Sequence, residues 1–458
     1  VTWERLSALD ASFLSIEGPS NPMHVGWVAR FDAPRKGSTP SFDELFEHIA
    51  GRLGHAPRYR QRLAEVPLSF HEPIWVDDQD FDAALHLRHA EGGDLTEVVD
   101  TTLSSPLERD RPLWEIWIAD DLPGKGLALI GKMHHCMVDG MAVAQLGDLL
   151  LDSQPDGPAE ASPGGEERNA PTPAPSATER LVRGLADRAL DSAVLALAPA
   201  RIASSPSLML ALPGAAARGL RMLAHVLLPP APSSPLNQPG SADRHHVRST
   251  RSVDELRALR RSFDVTPNDV LLAACAGALR RFAQRRGEEP QRLKVMIPAD
   301  VRRRADAQGG NRISFLFIDL PCDEPDPVVR LESIHLATAQ RERDGEAEDL
   351  DAAFGVLART LSPVQRTLAH AFAHPRLFNL TISTMPGPAV PRYLRGCRLR
   401  EAYSAVPLAR RHALSIGIVT VAGQVCLAVY ADSLTLPDAD ELSSDLDEAF
   451  EELLAAQS

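Results

Sequence analysis

Short, wholly apolar runs alternate along this chain with longer stretches of helical spacing. The run Gly126-Leu127-Ala128-Leu129-Ile130-Gly131-Lys132-Met133 is almost entirely apolar and predicts a strand buried on both faces. His24 to Phe31 and Arg111 to Ile118 read as further strands, and Pro73 to Val76 as an extended segment. Ser41 and Glu44 have the spacing of a capping box and open a helix through Leu45, Ile49 and Leu53; another helix is expected from Leu95 to Leu103. In the second half, Ser252 and Glu255 repeat the capping box, and Thr266-Pro267 starts a helix whose body, Val270 to Arg285, is apolar enough to be buried. Strands are predicted at Leu293 to Pro298 and Ile313 to Ile318, and the run Leu380 to Pro388 follows. A hairpin-like pair, His412 to Val421 and Gln424 to Ala431, turns at Ala422-Gly423. A charged helical region covers 327–359, and a last helix puts Leu442, Leu446, Phe450 and Leu453 on one face. Strands and helices mixed in this way predict α+β or α/β layered domains, mixed sheets with helices packed on them.

The pattern breaks after Leu151. Residues 151–240 hold 14 of the chain's 37 prolines, several of them between Asn169 and Ser176, which predicts a linker. Two helices are expected inside it, about Thr178 to Leu197 and Ala215 to Leu228. The division is therefore 1–150, a linker of 151–245, and 246–458, as the length of 458 residues suggests. From Ser192 to Ala242 there is no Asp or Glu, although the chain carries a net charge of −14. A basic, leucine-rich stretch of this kind suits an anionic lipid surface; a helical hairpin packed on the domains would also account for it. The acidic balance argues against nucleic acid. Five scattered cysteines without a CxxC pair suggest neither a disulfide framework nor a metal site, and so a reducing cytoplasm. No apolar run is long enough to span a bilayer, and the N-terminal residues have no signal pattern. The expected location is cytoplasmic, with peripheral contact to the inner membrane or lipid bodies.

The candidate chemistry lies at the end of the most apolar strand, in Lys132-Met133-His134-His135-Cys136-Met137-Val138-Asp139-Gly140. Two histidines, a turn and an Asp-Gly pair at a helix start bring an imidazole near a carboxylate. Imidazole titrates near neutral pH and can take a proton from a hydroxyl. Cys136 could act as a thiolate nucleophile, but neighbours on a strand point to opposite faces, which favours an inert, buried cysteine.

HHxxxDG resembles the signature of acyltransferases built like chloramphenicol acetyltransferase, in which the second histidine is the base. Over nearly its whole length the chain resembles the bacterial wax ester synthase/diacylglycerol acyltransferase family. The resemblance is carried by Leu6-Ser7-Ala8-Leu9-Asp10, Pro22-Met23-His24-Val25-Gly26, Ser105-Pro106-Leu107, Arg111-Pro112-Leu113-Trp114-Glu115 and His134 to Gly140. It continues through Pro267-Asn268-Asp269-Val270, Met296-Ile297-Pro298, Gly310-Asn311 and Met385-Pro386-Gly387-Pro388, in the family's order. Thr384 departs from the family's usual asparagine, and Ala8 from its common proline. The resemblance implies two chloramphenicol-acetyltransferase-like domains meeting at a substrate tunnel. It also implies acyl-CoA as co-substrate with no further cofactor or metal, and diacylglycerol or a long-chain alcohol as acceptor. His135 is then the general base, with His134, Asp139 and Gly140 supporting it. Pro112, Leu113, Trp114, Asn268, Asp269, Ser383 and Thr384 are candidates for the tunnel, and Ser383, Thr384 and Asn268 for stabilising an oxyanion. Capping alone would explain Asn268 and Asp269. Two other readings remain: a condensation-type acyltransferase fed by a carrier protein, and a non-catalytic protein that coats lipid bodies.

Overall fold

The computed structural model describes residues 3–34, 37–90, 93–120, 122, 126–137, 140–155, 171–300, 313–360, 362–388 and 390–457. The first lobe is built from α1 (Ala8–Ile16), β1 (His24–Phe31), α2 (Phe42–Leu53), β2 (Gln61–Ala64), β3 (Ile74–Asp77), β4 (Leu87–His89), α3 (Leu95–Ser104), β5 (Trp114–Ala119), β6 (Leu127–His134) and α4 (Gly140–Leu150). Then follow α5 (Ala177–Ala203) and α6 (Pro206–Leu227). The second lobe continues with β7 (Arg244–Ser252), α7 (Val253–Phe263), α8 (Pro267–Arg285), β8 (Leu293–Asp300), β9 (Ile313–Leu320), α9 (Pro327–Asp344), α10 (Glu346–Leu357) and α11 (Ser362–Phe372). The chain ends with β10 (Leu380–Pro386), β11 (Tyr393–Leu394), β12 (Cys397–Ala405), β13 (Leu414–Val421), β14 (Gln424–Asp432) and α12 (Glu441–Ala455).

Two six-stranded mixed sheets carry the fold, ordered β11-β12-β1-β6-β5-β4 and β7-β14-β13-β10-β8-β9. All eight residues of β6 are buried, as its unbroken apolar run predicts. Gly131 is needed there because a Cβ would lie 2.2 Å from the Trp27 ring of β1. The buried ammonium of Lys132 is satisfied by the Thr102 carbonyl at 3.0 Å and by Ser105 O and Oγ at 2.8 Å each, with Glu115 at 3.3 Å. It thereby caps the C-terminal end of α3, where a helix dipole favours positive charge. The capping boxes form at Ser41, Ser252 and Thr266, and the final hairpin turns at Ala422 and Gly423, both with positive φ.

The division at residue 246 needs correction. β11 and β12 lie in the C-terminal part of the chain but complete the first sheet, with β12 pairing with β1 from Gly26↔Ala405 to Phe31↔Leu399. Alternating burial of Cys397, Leu399 and Glu401 fits this strand to the first lobe, and pairing removes an open edge on β1. β12 then passes so close to β13 that a Cβ on Gly417 would meet Ser404 O at 2.7 Å. Within the 151–245 segment, helices α5 and α6 pack on the lobes. Arg188 on α5 reaches Thr360 O and Ser362 Oγ, while Met222 and Val226 on α6 share a cluster with Phe317, Leu350 and Phe378.

At the junction of the lobes, Arg244 donates to Ser20 O at 2.7 Å and to Asp432 at 3.2 Å. Beside it, His245 bridges Asp100 of α3 at 2.6 Å and Asp440 at 2.8 Å. The Asp100 hydrogen bond, with that of Asp440, outweighs partial burial and raises His245 to about 9. Its folded value therefore lies above the unfolded one of about 6.5. The clip is fully present below about pH 6.5 and is lost as pH rises through about 9. Melting curves of the parent and His245→Gln should differ most in mild acid and converge at alkaline pH. Gly417→Ala should cost ~1–3 kcal/mol by denaturant unfolding, because the Ser404 backbone cannot give way.

Candidate active site

β6 ends at His134, whose antiparallel partner is His24 on β1. The chain then turns: His135 N–H donates to Met23 O at 2.8 Å and Met137 N–H to His134 O at 2.9 Å, before α4 begins at Gly140. Asp139 lies outside the described residues, as do Gly310 and Asn311. The half-buried His135 ring stacks on Phe13 of α1, with centroids 3.8 Å and planes 13° apart. Its Nδ1 is sealed from solvent, with no hydrogen-bond partner among the described residues. Burial lowers its pKa to about 4 against an opposing contribution from its own backbone, with a lesser lowering by the neighbouring His134. The imidazole is therefore neutral at physiological pH.

His134 points elsewhere. Its Nδ1 accepts from Cys136 N–H at 3.1 Å, which leaves the proton on Nε2, 3.4 Å from Glu17 Oε1. Glu17 sits at the C-cap of α1 and also accepts from Met23 N–H at 3.1 Å and Arg109 Nε at 3.1 Å. Burial alone would raise its pKa, but His134 and Arg109 outweigh burial and hold it at about 2. Glu17 thus joins α1, the start of β1 and the histidine turn. No motif marks Glu17 in the sequence, because its partners are distant in the chain. Cys136 lies in the turn beyond the strand, so strand alternation does not separate it from His135. Burial instead pushes the thiol well above its ordinary value, which disfavours the thiolate.

Pro112, Leu113 and Trp114 belong to the core rather than to an open surface. Leu113 O accepts from His134 N–H at 2.9 Å. The buried Trp114 stacks on His86 and donates its indole N–H to Tyr59 O at 2.8 Å, so it supports the histidine strand from beneath. A second polar group forms at the start of α8. Thr384 Oγ1 on β10 donates to Asn268 Oδ1 at 3.1 Å, while Ser383 lies opposite Gly417 in the β10–β13 pair. Asp269 does more than close the Thr266 cap. Its buried carboxylate also receives Thr338 Oγ1 at 2.7 Å and His335 Nδ1 at 2.8 Å from α9. These hydrogen bonds overcome its burial and lower its pKa. His335 and Thr338 carry no sequence signal. Among the described residues no hydrogen bond, ion pair or ring contact joins this group to His135. A surface cavity of about 290 Å³, lined by Trp3, Arg5, Arg180, Arg183 and Asp187 among others, holds none of the predicted site residues.

Two mixed sheets, with a histidine turn at the end of a central strand, define the class of two-lobed acyltransferases. The solved structures agree. The chain superposes on the wax ester synthase/diacylglycerol acyltransferase of Marinobacter aquaeolei with a TM-score of 0.71, at 23% identity over 99% of both chains. The starter condensation domain of rhizomide synthetase shares the fold at a TM-score of 0.58 and 14% identity, over 99% of this chain and 95% of that one. Residues 6–271 match the wax ester synthase/diacylglycerol acyltransferase catalytic domain, and 309–454 its C-terminal domain. Two Mycobacterium tuberculosis proteins that carry the name diacylglycerol O-acyltransferase are 31% and 28% identical to it. Each alignment spans 98% of this chain, and 90% and 96% of the respective relatives. The chain belongs to the wax ester synthase/diacylglycerol acyltransferase family, and it is an acyltransferase.

Removing Glu17 tests how the turn is held. Glu17→Ala takes the acceptor from Arg109 and Met23 and the carboxylate that faces His134, and should lower stability by ~1–3 kcal/mol, read by denaturant unfolding. The same substitution should lower kcat more than it raises KM, since the histidine turn loses its anchor.

Proposed function

We propose that the enzyme transfers a long acyl chain from acyl-CoA to the hydroxyl of diacylglycerol or a long-chain alcohol, giving triacylglycerol or wax ester. The observation that supports this reading best is His135: a neutral imidazole at the end of a buried strand, flat against Phe13, with Nδ1 enclosed by protein. Nε2 is then the nitrogen that meets the acceptor. An alcohol is a poor nucleophile and a thioester a good electrophile, so proton removal and positioning are what the protein has to supply. His135 takes the hydroxyl proton as the oxygen bonds to the thioester carbonyl carbon. The resulting oxyanion collapses with cleavage of the C–S bond, and the imidazolium returns its proton to the departing thiolate. Glu17 and His134 hold the turn that presents the ring.

The Thr384 hydroxyl is already donated to Asn268, so the Asn268 amide N–H and the Ser383 hydroxyl are the donors left in that group for the oxyanion. Gly140, the first residue of α4, and Asp139 before it in the sequence are the supporting residues of the motif. The substrates reach the base through a tunnel between the lobes, and the reaction uses no cofactor beyond acyl-CoA. The acceptor is met at a lipid surface, to which the protein binds peripherally.

The test is CoA thiol release from palmitoyl-CoA with dioleoylglycerol, hexadecanol or no acceptor. Acceptor-dependent release should fall by ~10²–10⁴-fold in His135→Ala and persist in Cys136→Ser. Release undiminished in His135→Ala would remove it as the base, and release only from an acyl group tethered to a carrier protein would favour the condensation-type reading. Because the base must be unprotonated, kcat/KM should hold down to about pH 5 and fall as pH drops through about 4.

A further inference from the structure

Helix α5 is inverted for a helix that faces water. It buries Gly184 toward the first lobe, where a Cβ would lie 3.0 Å from Val66, and Arg188 between the lobes, its guanidinium held by Thr360 O at 2.6 Å and Ser362 Oγ at 2.8 Å of the second lobe. Toward solvent it turns Val182, Leu185, Leu190, Val194 and Leu197, with Leu190 67% exposed. Its partner α6 buries Met222 and Val226 but leaves Leu220, Leu223 and Leu227 exposed at i, i+3 and i+7, Leu220 by 69%. Of the twenty-one large hydrophobic side chains exposed among the described residues, eleven lie between 182 and 228. Apolar surface concentrated in this way marks an interaction site.

The charges define what it would meet. No Asp or Glu occurs from 192 to 242. The α6 arginines turn to the second lobe, Arg218 to Asp349 at 3.5 Å and Arg221 to Asp344 at 3.9 Å. These pairings set both α6 guanidinium groups toward α9 and α10, and the three leucines of the stripe carry no charge. A chain of net charge −14 is repelled by anionic headgroups. A protein partner would be expected to bring a polar rim to match. Among the described residues no helix is long and apolar enough to cross a membrane, so the stripe lies on a surface rather than through it. Arg188 also ties α5 to the start of α11, and α11 packs on α1, the helix that carries Phe13.

We infer that the α5–α6 hairpin docks the enzyme on a neutral lipid surface, a zwitterionic monolayer over acylglycerol, by inserting its leucine stripe without help from anionic headgroups. This deepens the reading that the acceptor is a water-insoluble alcohol, and rests on it for the choice of lipid.

The experiment is flotation of the full chain with phosphatidylcholine-coated triolein droplets, phosphatidylcholine vesicles, and vesicles containing phosphatidylglycerol, at low and high salt. The parent should bind the coated droplets irrespective of salt and gain nothing from phosphatidylglycerol. L220S/L223S/L227S should lower partitioning by ~100-fold while keeping the melting curve and CoA release with a short, water-soluble alcohol. Undiminished binding by the triple variant would overturn the inference. So would binding that needs phosphatidylglycerol and vanishes with salt, or a parent that stays off lipid and self-associates through this face. A chain that floats but releases CoA to no acceptor would refute the catalytic reading and leave this one standing; a chain that turns over but does not float would do the reverse.

Discussion

Burial of the histidine strand on both faces is the constraint from which the rest of the structure follows. A strand with no exposed residue must be covered on both faces. It must also find partners for every polar atom it carries, and Lys132 shows how this is met, with its ammonium closing the end of α3 on Thr102 and Ser105. The same burial weakens the basicity of His135 and keeps its ring neutral. The ring is placed by the Met23 carbonyl, which accepts from the His135 N–H, by the Phe13 ring, and by the turn whose His134 faces Glu17.

The two lobes are not separable bodies. β12 comes from the second half of the chain yet pairs with β1, and it crosses β13 at a point where only Gly417 leaves room for the Ser404 backbone. Arg244 and His245 fasten β7 to the first lobe a few residues away from Tyr430, which donates to Leu103 O at 3.1 Å. The helices between the lobes are held by each of them as well, α5 through Arg188 to Glu72 and Ser362, and α6 through Met222 and Val226. A lobe that lends a strand to its neighbour cannot swing freely, so any substrate path between the two is set by side chains and loops rather than by domain opening.

The inversion of α5 follows from this packing. Its glycine fits against the first lobe by close approach, and its arginine fits between the lobes by finding carbonyl and hydroxyl acceptors on the second. Its leucines are left outside, where water gives them no stabilisation. Residues 192–242 look basic in sequence, but both α6 arginines face Asp349 and Asp344, which come from helices more than a hundred residues further on.

Local signals were decisive where the physics is local. The capping boxes at Ser41, Ser252 and Thr266, the Ala422-Gly423 hairpin and the buried run of β6 each depend on neighbours within a few residues, and each is legible in the sequence. The order of the family's motifs likewise identified the chemistry and placed His135 at a strand end. Tertiary structure alone decided the rest. It moved β12 into the first sheet, put Trp114 beneath the histidine strand as core, joined Asp269 to His335 and Thr338, and made Glu17 the anchor of the turn. Those outcomes depend on which distant groups burial forces together. Spacing along a chain carries no record of a partner that lies a hundred residues away.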